Sequence, residues 1–438
     1  MLRKLITFEF ISRPLCVLLA VILLLFVAQI CTAYSVLTHE EVVDLLWKDQ
    51  LQPMLLARFP QATPEDLKNA HAYAYGGSLL QDMGYYPFGN KYFSDLVHYV
   101  RTGDFVIALL QQSSDINEYA FALGGLAHYA ADNAGHPVIN QVVAIDFPKL
   151  KQKYGDHVTY ADDPKAHIRT EFGFDMVQVA KGHYTSDRYH DFIGFNVSKP
   201  LLERAFLQTY GIKLDDVLTK EDLAIGSFRR SISIVIPEMT RVALINRKKE
   251  VVHDTPNKNE KKFLYHLSRK DYQKEWGKEY RQPGFGSRVL AFFLKVVPKV
   301  GPFKALAFKI PTTKTEDMYV KSINTTIDQY GAFLREQKAS HLQLQNLDFD
   351  TGKATKAGEY SLADETYAHL LDDLDKHKFD KLTPELRQNI LAFYDGAAAP
   401  VSRKKKDAEQ WTKTQKQLED LKQSGNMENA EISSNGLH

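Results

Sequence analysis

Cysteine is nearly absent from this chain. Its 438 residues contain two, Cys16 and Cys31, and both fall in the first apolar stretch. The rest can form no disulfide framework and no Cys-type structural zinc site. There is no internal repeat, no Gly-rich phosphate loop and no nucleophile elbow, so the motifs of nucleotide binding and serine hydrolysis are missing. No stretch alternates apolar and polar residues as a half-buried strand does. Overall charge of one sign is also lacking, with 55 Lys/Arg against 54 Asp/Glu. What remains is a chain of ordinary hydrophobic content, long enough for a sizeable core and for two or three domains.

The N-terminus stands apart. Arg3, Lys4 and Arg13 precede an apolar run from Leu15 to Ile30, and Cys31-Thr32-Ala33 supplies small residues where a signal peptidase cuts. Residues 1–33 are therefore expected to be a secretory signal peptide, making the protein periplasmic or secreted. The competing expectation is an uncleaved anchor, because Leu15 to Ala33 is almost long enough to span a bilayer. Ile30 is too large for the position before a lipidated cysteine. Charge divides along the remainder: Tyr34 to Thr240 holds 18 Lys/Arg and 26 Asp/Glu, net −8, whereas Arg241 to His438 holds 34 and 27, net +7. An acidic first half suits a site that collects cations. A basic second half suits an anionic surface, or is simply solvated helix face.

The spacing predicts helices almost throughout. Thr38 with Glu41 reads as a capping box, Pro53 interrupts the following pattern, and Thr63-Pro64-Glu65-Asp66 opens another helix that should end near Gly76-Gly77. Ser78 to Asn90, rich in glycine and aromatics, reads as a loop. Tyr92–Leu110 is helical, and Asp115 caps a long central helix. Pro148–Asp163 is a polar connection, and helices follow from Pro164, over Asp187–Tyr210 and over Glu221–Asn246. Residues 34–246 are expected to be one all-α domain and residues 247–423 an additional, mostly helical region. Within the latter, residues 287–310 are apolar with spaced lysines and no acid, the pattern of an interfacial membrane segment or of a buried hairpin broken by Pro298 and Pro302. Helices are expected at Glu316–Glu336, Ala363–Asp375 and Thr383–Tyr394, and a Lys/Gln/Glu-rich helix opens at Arg403. From Ser424 to His438 the tail is expected to be disordered.

Chemistry concentrates in the central helix. His128, Asp132 and His136 recur every four residues and so share one helix face, among Ala127, Ala130, Ala131, Ala134 and Gly135. Two imidazoles and a carboxylate are good zinc ligands. A hydrogen-bonded core network uses the same residues, and the triplet alone leaves the two open. Other ligand-type residues precede and follow it: His39, Asp82, His98, His167 and Glu171, the last two again at i, i+4. His71, His157, His183 and His190 fit no ligand pattern and are expected to be structural or on the surface.

Taken together, LTHEEVV, LLQDMGYYPFG, VHYVR, LAHYAADNAGHP and HIRTE resemble the zinc-dependent phospholipase C family. That family includes the catalytic domain of the glycosylphosphatidylinositol-specific phospholipase D, and the trinuclear-zinc single-strand nucleases are more distantly similar. The resemblance spans Tyr34 to about Asn246 and implies an all-α bundle around as many as three zinc ions. It implies that Asp82, His98, His128 and Asp132 hold one zinc and that His136, His167 and Glu171 hold a second. His39, Asp132 and the main-chain amine and carbonyl of Tyr34 would hold a third. Tyr34 stands where many members have Trp, which leaves main-chain chelation intact. His136 follows Asp132 more closely than in the bacterial phospholipases, matching the phospholipase D type better.

The implied activity is hydrolysis of phospholipid or lipid-linked phosphodiesters by metal-activated water, with Asp82 orienting or deprotonating that water. Tyr85, Tyr86 and Phe88, beside Asp82, are expected to wall the substrate site, unless they are core. The implied partner is a phospholipid or membrane surface, and no protein partner is implied. Two further readings stay open. One is a nuclease with the same metals and a nucleic-acid substrate. The other is a non-catalytic, membrane-anchored binding protein.

Overall fold

The structure, a computed structural model, describes residues 35–184, 190, 193–237, 239–240, 308–397 and 405–435. Tyr34, residues 1–33 with their expected signal peptide, and nearly all of the basic apolar stretch 287–310 lie outside the described residues. Fifteen helices are described: α1 Val36–Leu46, α2 Gln52–Arg58, α3 Pro64–Ser78, α4 Lys91–Tyr99, α5 Thr102–Gln112, α6 Ile116–Asp146, α7 Pro148–Tyr154, α8 Pro164–Lys181, α9 Lys199–Tyr210, α10 Leu214–Val217, α11 Glu221–Arg230, α12 Thr313–Lys338, α13 Ser361–Lys376, α14 Pro384–Phe393 and α15 Lys405–Asn435. The strands described are two of two residues, β1 Leu347–Asp348 and β2 Lys353–Ala354, paired antiparallel with Leu347 opposite Ala354. The expected all-α bundle is what the chain forms.

Helix α6 is its axis. Asp115 starts it by accepting from the amides of Asn117 and Glu118, and its 31 residues run about 46 Å. Against it lie α3 and α12. The α3 contact is unusually close because glycine faces backbone on both sides. A Cβ on Gly77 would come 1.9 Å from the Phe121 carbonyl oxygen, and one on Gly124 would come 2.1 Å from that of Ala74. Helix α3 ends at Ser78, near its Gly-Gly pair as expected, and Gly77 also serves as a packing surface. The α12 contact is anchored by fully buried Tyr330, which donates to the Leu123 carbonyl. The hydrophobic core is continuous from Val36 to Leu421.

Helix α3 follows its expected cap, and α8 has one of its own. Thr63 and Asp66 form a reciprocal capping box with Pro64 at the first turn of α3, and Asp163 caps α8 through the Ala166 amide. The expected cap at Thr38 is displaced. Helix α1 begins at Val36, and the buried Thr38 hydroxyl donates instead to Asp175 of α8 at 2.7 Å, because a buried carboxylate draws the nearest donors. Pro53 acts as expected, with a π-turn over Trp47–Leu51 preceding α2. The expected loop after Ser78 contains a 3-10 turn, Leu80–Tyr85. Tyr92–Leu110 divides into α4 and α5 at Arg101, whose φ is 50°. Beyond Ser424, where disorder was expected, α15 continues to Asn435, through Glu, Asn, Met and Ala with no proline to stop it.

Candidate metal centre

The close approach of α3 and α6 aligns the donors. Ser78, next to Gly77, offers its carbonyl to His128 Nδ1 at 2.9 Å, which leaves Nε2 as the free ring nitrogen. Ser94 of α4 ties down the 3-10 turn: its Oγ donates to the Gln81 carbonyl at 2.6 Å and accepts from the Gly84 amide at 3.0 Å. Asp82, between them, is thereby held beside α4. His98 on α4 donates from Nδ1 to the Ser94 carbonyl at 2.7 Å. His167 on α8 donates from Nε2 to the Val158 carbonyl at 2.6 Å. In all three histidines a backbone carbonyl fixes the tautomer and aims the other nitrogen inward, as carbonyls behind metal-binding imidazoles do.

The inward nitrogens of His128 and His98, with those of His136 and His39, converge on Asp132. Its Oδ2 lies 3.0 Å from His128 Nε2, 3.5 Å from His98 Nε2 and 3.7 Å from His136 Nε2. Its Oδ1 lies 3.5 Å from His39 Nε2. Asp82 Oδ1 is 3.5 Å from His98 Nε2, and His167 Nδ1 is 3.3 Å from Glu171 Oε1. Three sets result, each with ligand atoms within 4.8 Å of one another: His39, His128 and Asp132; Asp82, His98 and His128; His136, His167 and Glu171. His39 also stacks on His128, with ring centroids 4.5 Å apart.

These separations fit a metal better than they fit hydrogen bonds. Two ligands about 2.05 Å from a tetrahedral zinc stand about 3.3 Å apart, whereas N–H···O bonds cluster at about 2.7–3.2 Å. Both oxygens of Asp82, both of Asp132, His128 Nε2, His167 Nδ1 and Glu171 Oε1 are buried and make no hydrogen bond. Each such orphan costs about 1–3 kcal/mol, and a concentration of them around one point is sustained by a cation. Imidazole and carboxylate without thiolate is the donor set of a catalytic zinc. The residues present fit the metal.

Electrostatics shows the same demand for positive charge. Burial and the neighbouring His128 press His39 down to about 3, and burial takes His167 to about 4. Against burial, the Asp132 and Asp82 carboxylates lift His98 to about 10, and Asp350 and Asp132 lift His136 to about 9. Burial raises Asp82, and raises Glu171 well above its usual range, while Asp132 is drawn well below by His128, His136 and His98 in spite of burial.

Comparison with known proteins agrees with this geometry. The family model for zinc dependent phospholipase C matches residues 38–217. Over this segment the chain is similar to that family. All the ligand-type residues identified from sequence, except Tyr34, lie inside the phospholipase C segment. Zinc is the family's metal, and the three clustered sets are suited to it. Comparison with curated proteins returned no match, and comparison with solved structures returned none.

The aromatic loop separates into three environments. The Tyr85 ring lies 6.0 Å from that of His98. Tyr86 packs on Phe228 of α11 at 4.9 Å, in the core rather than beside the centre. Phe88 is 58 % exposed with φ 63°. Among the histidines that fitted no ligand pattern, His71 bonds Asp44 at 2.8 Å and His190 bonds Glu40 at 2.9 Å, in a second buried polar cluster. Sequence reasoning missed Asp350, whose Oδ1 is 3.4 Å from His136 Nε2, and Phe349, whose ring lies 5.4 Å from that of His98. The signal available was the turn-like run Asp348-Phe349-Asp350-Thr351-Gly352.

Proposed function

We propose that this is an exported zinc phosphodiesterase that hydrolyses phospholipids or lipid-linked phosphodiesters. The observation that carries the proposal is the gathering of three buried ligand sets, one of them including Asp132, within the segment that matches the phospholipase C family. In this reading Asp82, His98, His128 and Asp132 hold one zinc, and His136, His167 and Glu171 hold a second. His39 and Asp132 join the main chain of Tyr34 at a third. Zinc, when bound, supplies positive charge for an anionic phosphodiester and acidifies water toward pKa ~7. The protein's part is to fix the donors and exclude bulk solvent. Asp82, raised by burial and held by the turn that Ser94 ties down, is placed to orient water or take its proton. Tyr85 is placed to border the substrate.

Membrane contact is supported by two features. Phe88 stands exposed beside α11, where Leu223 is also exposed. The stretch 287–310 adds apolar and basic residues and no acid. Among the described residues no helix is long and apolar enough to cross a membrane. Export rests on the signal-like residues 1–33, and a start at Tyr34 would free the amine needed at the third metal. N-terminal sequencing of the exported protein that gave a start elsewhere would sink the three-metal arrangement.

The deciding experiment uses purified protein with measured zinc content, assayed on phosphatidylcholine vesicles and on single-stranded DNA. Release of phosphorylated headgroup or diacylglycerol, abolished by chelator and restored by zinc, is expected. Cleavage confined to DNA would overturn the lipid assignment in favour of the nuclease reading.

A further inference from the structure

We propose that Asp350, in the turn between β1 and β2, is a ligand of the metal held by His136, His167 and Glu171. This rests on the zinc reading of the centre and is independent of which phosphodiester is cleaved. Asp350 lies outside the segment 38–217 that matches the phospholipase C family.

The geometry is that of the other ligand pairs. Asp350 is 2 % exposed, and its Oδ1 stands 3.4 Å from His136 Nε2, in the range shared by His98–Asp82 and His167–Glu171 and beyond an ordinary hydrogen bond. Its Oδ2 is occupied otherwise, accepting from the Tyr99 hydroxyl at 2.8 Å and from that of Tyr360. One oxygen facing the centre while donors hold the other is the arrangement that orients a ligating carboxylate. A second carboxylate beside Glu171 would balance the dication's charge.

The turn is built to hold this position. Asn140 of α6 donates to the Asp350 carbonyl at 2.8 Å, and the Phe349 amide donates to the His98 carbonyl at 3.1 Å. Pro137 has no amide to offer the Asn133 carbonyl one turn back. Gly352, at φ 67°, seats there, where a Cβ would stand 3.0 Å from both the Asn133 oxygen and the Pro137 ring. The C-terminal region would therefore contribute a ligand as well as packing.

The test compares wild type with Asp350→Asn for zinc per chain and for zinc affinity by chelator competition, with circular dichroism to confirm folding. Asparagine keeps an oxygen for the two tyrosines but presents no anionic ligand. Loss of one zinc equivalent, or affinity for it weakened by about 10–100-fold, is expected, with the remaining zinc retained. Unchanged content with affinity within about threefold of wild type would overturn the proposal. Tyr360→Phe keeps the carboxylate and the Tyr99 donor and should weaken that equivalent less than Asp350→Asn does. If it weakens it as much, the disturbed turn rather than the carboxylate is responsible and the assignment falls. Should Asp350→Asn not fold, cobalt-loaded Asp350→Cys is read instead, with a thiolate-to-cobalt charge-transfer band expected and its absence overturning the assignment. Loss of zinc in a protein that cleaves no phospholipid would leave this inference standing and remove the lipid reading.

Discussion

Two buried clusters of nearly the same residues lie side by side in this protein, and they behave as opposites. In one, Asp44 of α1 accepts from the Tyr75 hydroxyl at 2.6 Å and meets His71 Nε2 at 2.8 Å, while Glu40 meets His190 at 2.9 Å. Trp47 stacks on His71 at 3.8 Å. Most of these groups meet at hydrogen-bond distance, His190 Nε2 and Asp44 Oδ2 at 3.5 Å being the wider pair. In the other, the groups around Asp132 stand mostly 3.3–3.7 Å apart, and most of their inward atoms are orphaned. Composition does not separate a structural ion network from a metal centre. Separation between donors, and what lies behind each imidazole, does. His128, His98 and His167 have carbonyls behind them and turn their other nitrogens toward buried carboxylates at 3.0–3.5 Å, whereas His71 has its carboxylate partner at 2.8 Å.

The sharpest way to break this contrast is Asp132→Asn. If the centre is metallic, hydrolysis and bound zinc should both fall to background, measured by phosphodiester assay and elemental analysis. Retention of both would reduce the cluster to a network like its neighbour. Asp44→Asn should do the reverse. Breaking a buried, hydrogen-bonded pair costs about 3–5 kcal/mol, visible as a lower denaturation midpoint, while zinc content stays at the wild-type value. Zinc lost in proportion to Asp132→Asn would erase the distinction.

A smaller effect concerns pH. His98 and His136, lifted to about 10 and about 9 by the carboxylates they face, must lose their protons to bind metal. Zinc affinity should therefore climb as pH rises from 6 to about 9, and calorimetry in buffers of different ionisation heat should register proton release. Asp44 and its partners should contribute no such release. The smallest effect is expected at Asp175, which burial raises to about 7 despite donors from Thr38, Ser35 and the Leu37 amide. The folded state then holds a proton that the unfolded chain releases near 3.8, so this group's contribution to stability declines as pH rises from about 4 to about 7. Asp175→Asn should flatten that part of the stability profile, and an unaltered profile would contradict the assignment.

What was legible in the sequence was what a helix repeats. His128, Asp132 and His136 fall on one face of α6, and His167 and Glu171 on one face of α8, because four residues return the chain to the same side. What was not legible depended on partners distant in sequence. Asn140 and Asp350 are 210 positions apart, and no local period connects a helix to a two-residue strand. The Gly76-Gly77 pair reads as marking the end of α3, which closes one residue beyond it. Its use here, as the surface on which α6 rests, is visible only when α6 is present. The same dependence bears on membrane tests. Removing everything after residue 286 would strip α12 and Tyr330 from α6 and uncover the core, so the stretch 287–310 is better probed by replacing its lysines.

The seal over the centre has a kinetic consequence. His39, Asp82, His128, Asp132 and His167 are wholly inaccessible, and Phe349 lies across His98 and His128. A metal so enclosed cannot leave by simple dissociation into solvent. Its residence time would be set by how often the β1–β2 turn lifts, and chelators would act at a rate independent of their concentration once that opening limits them.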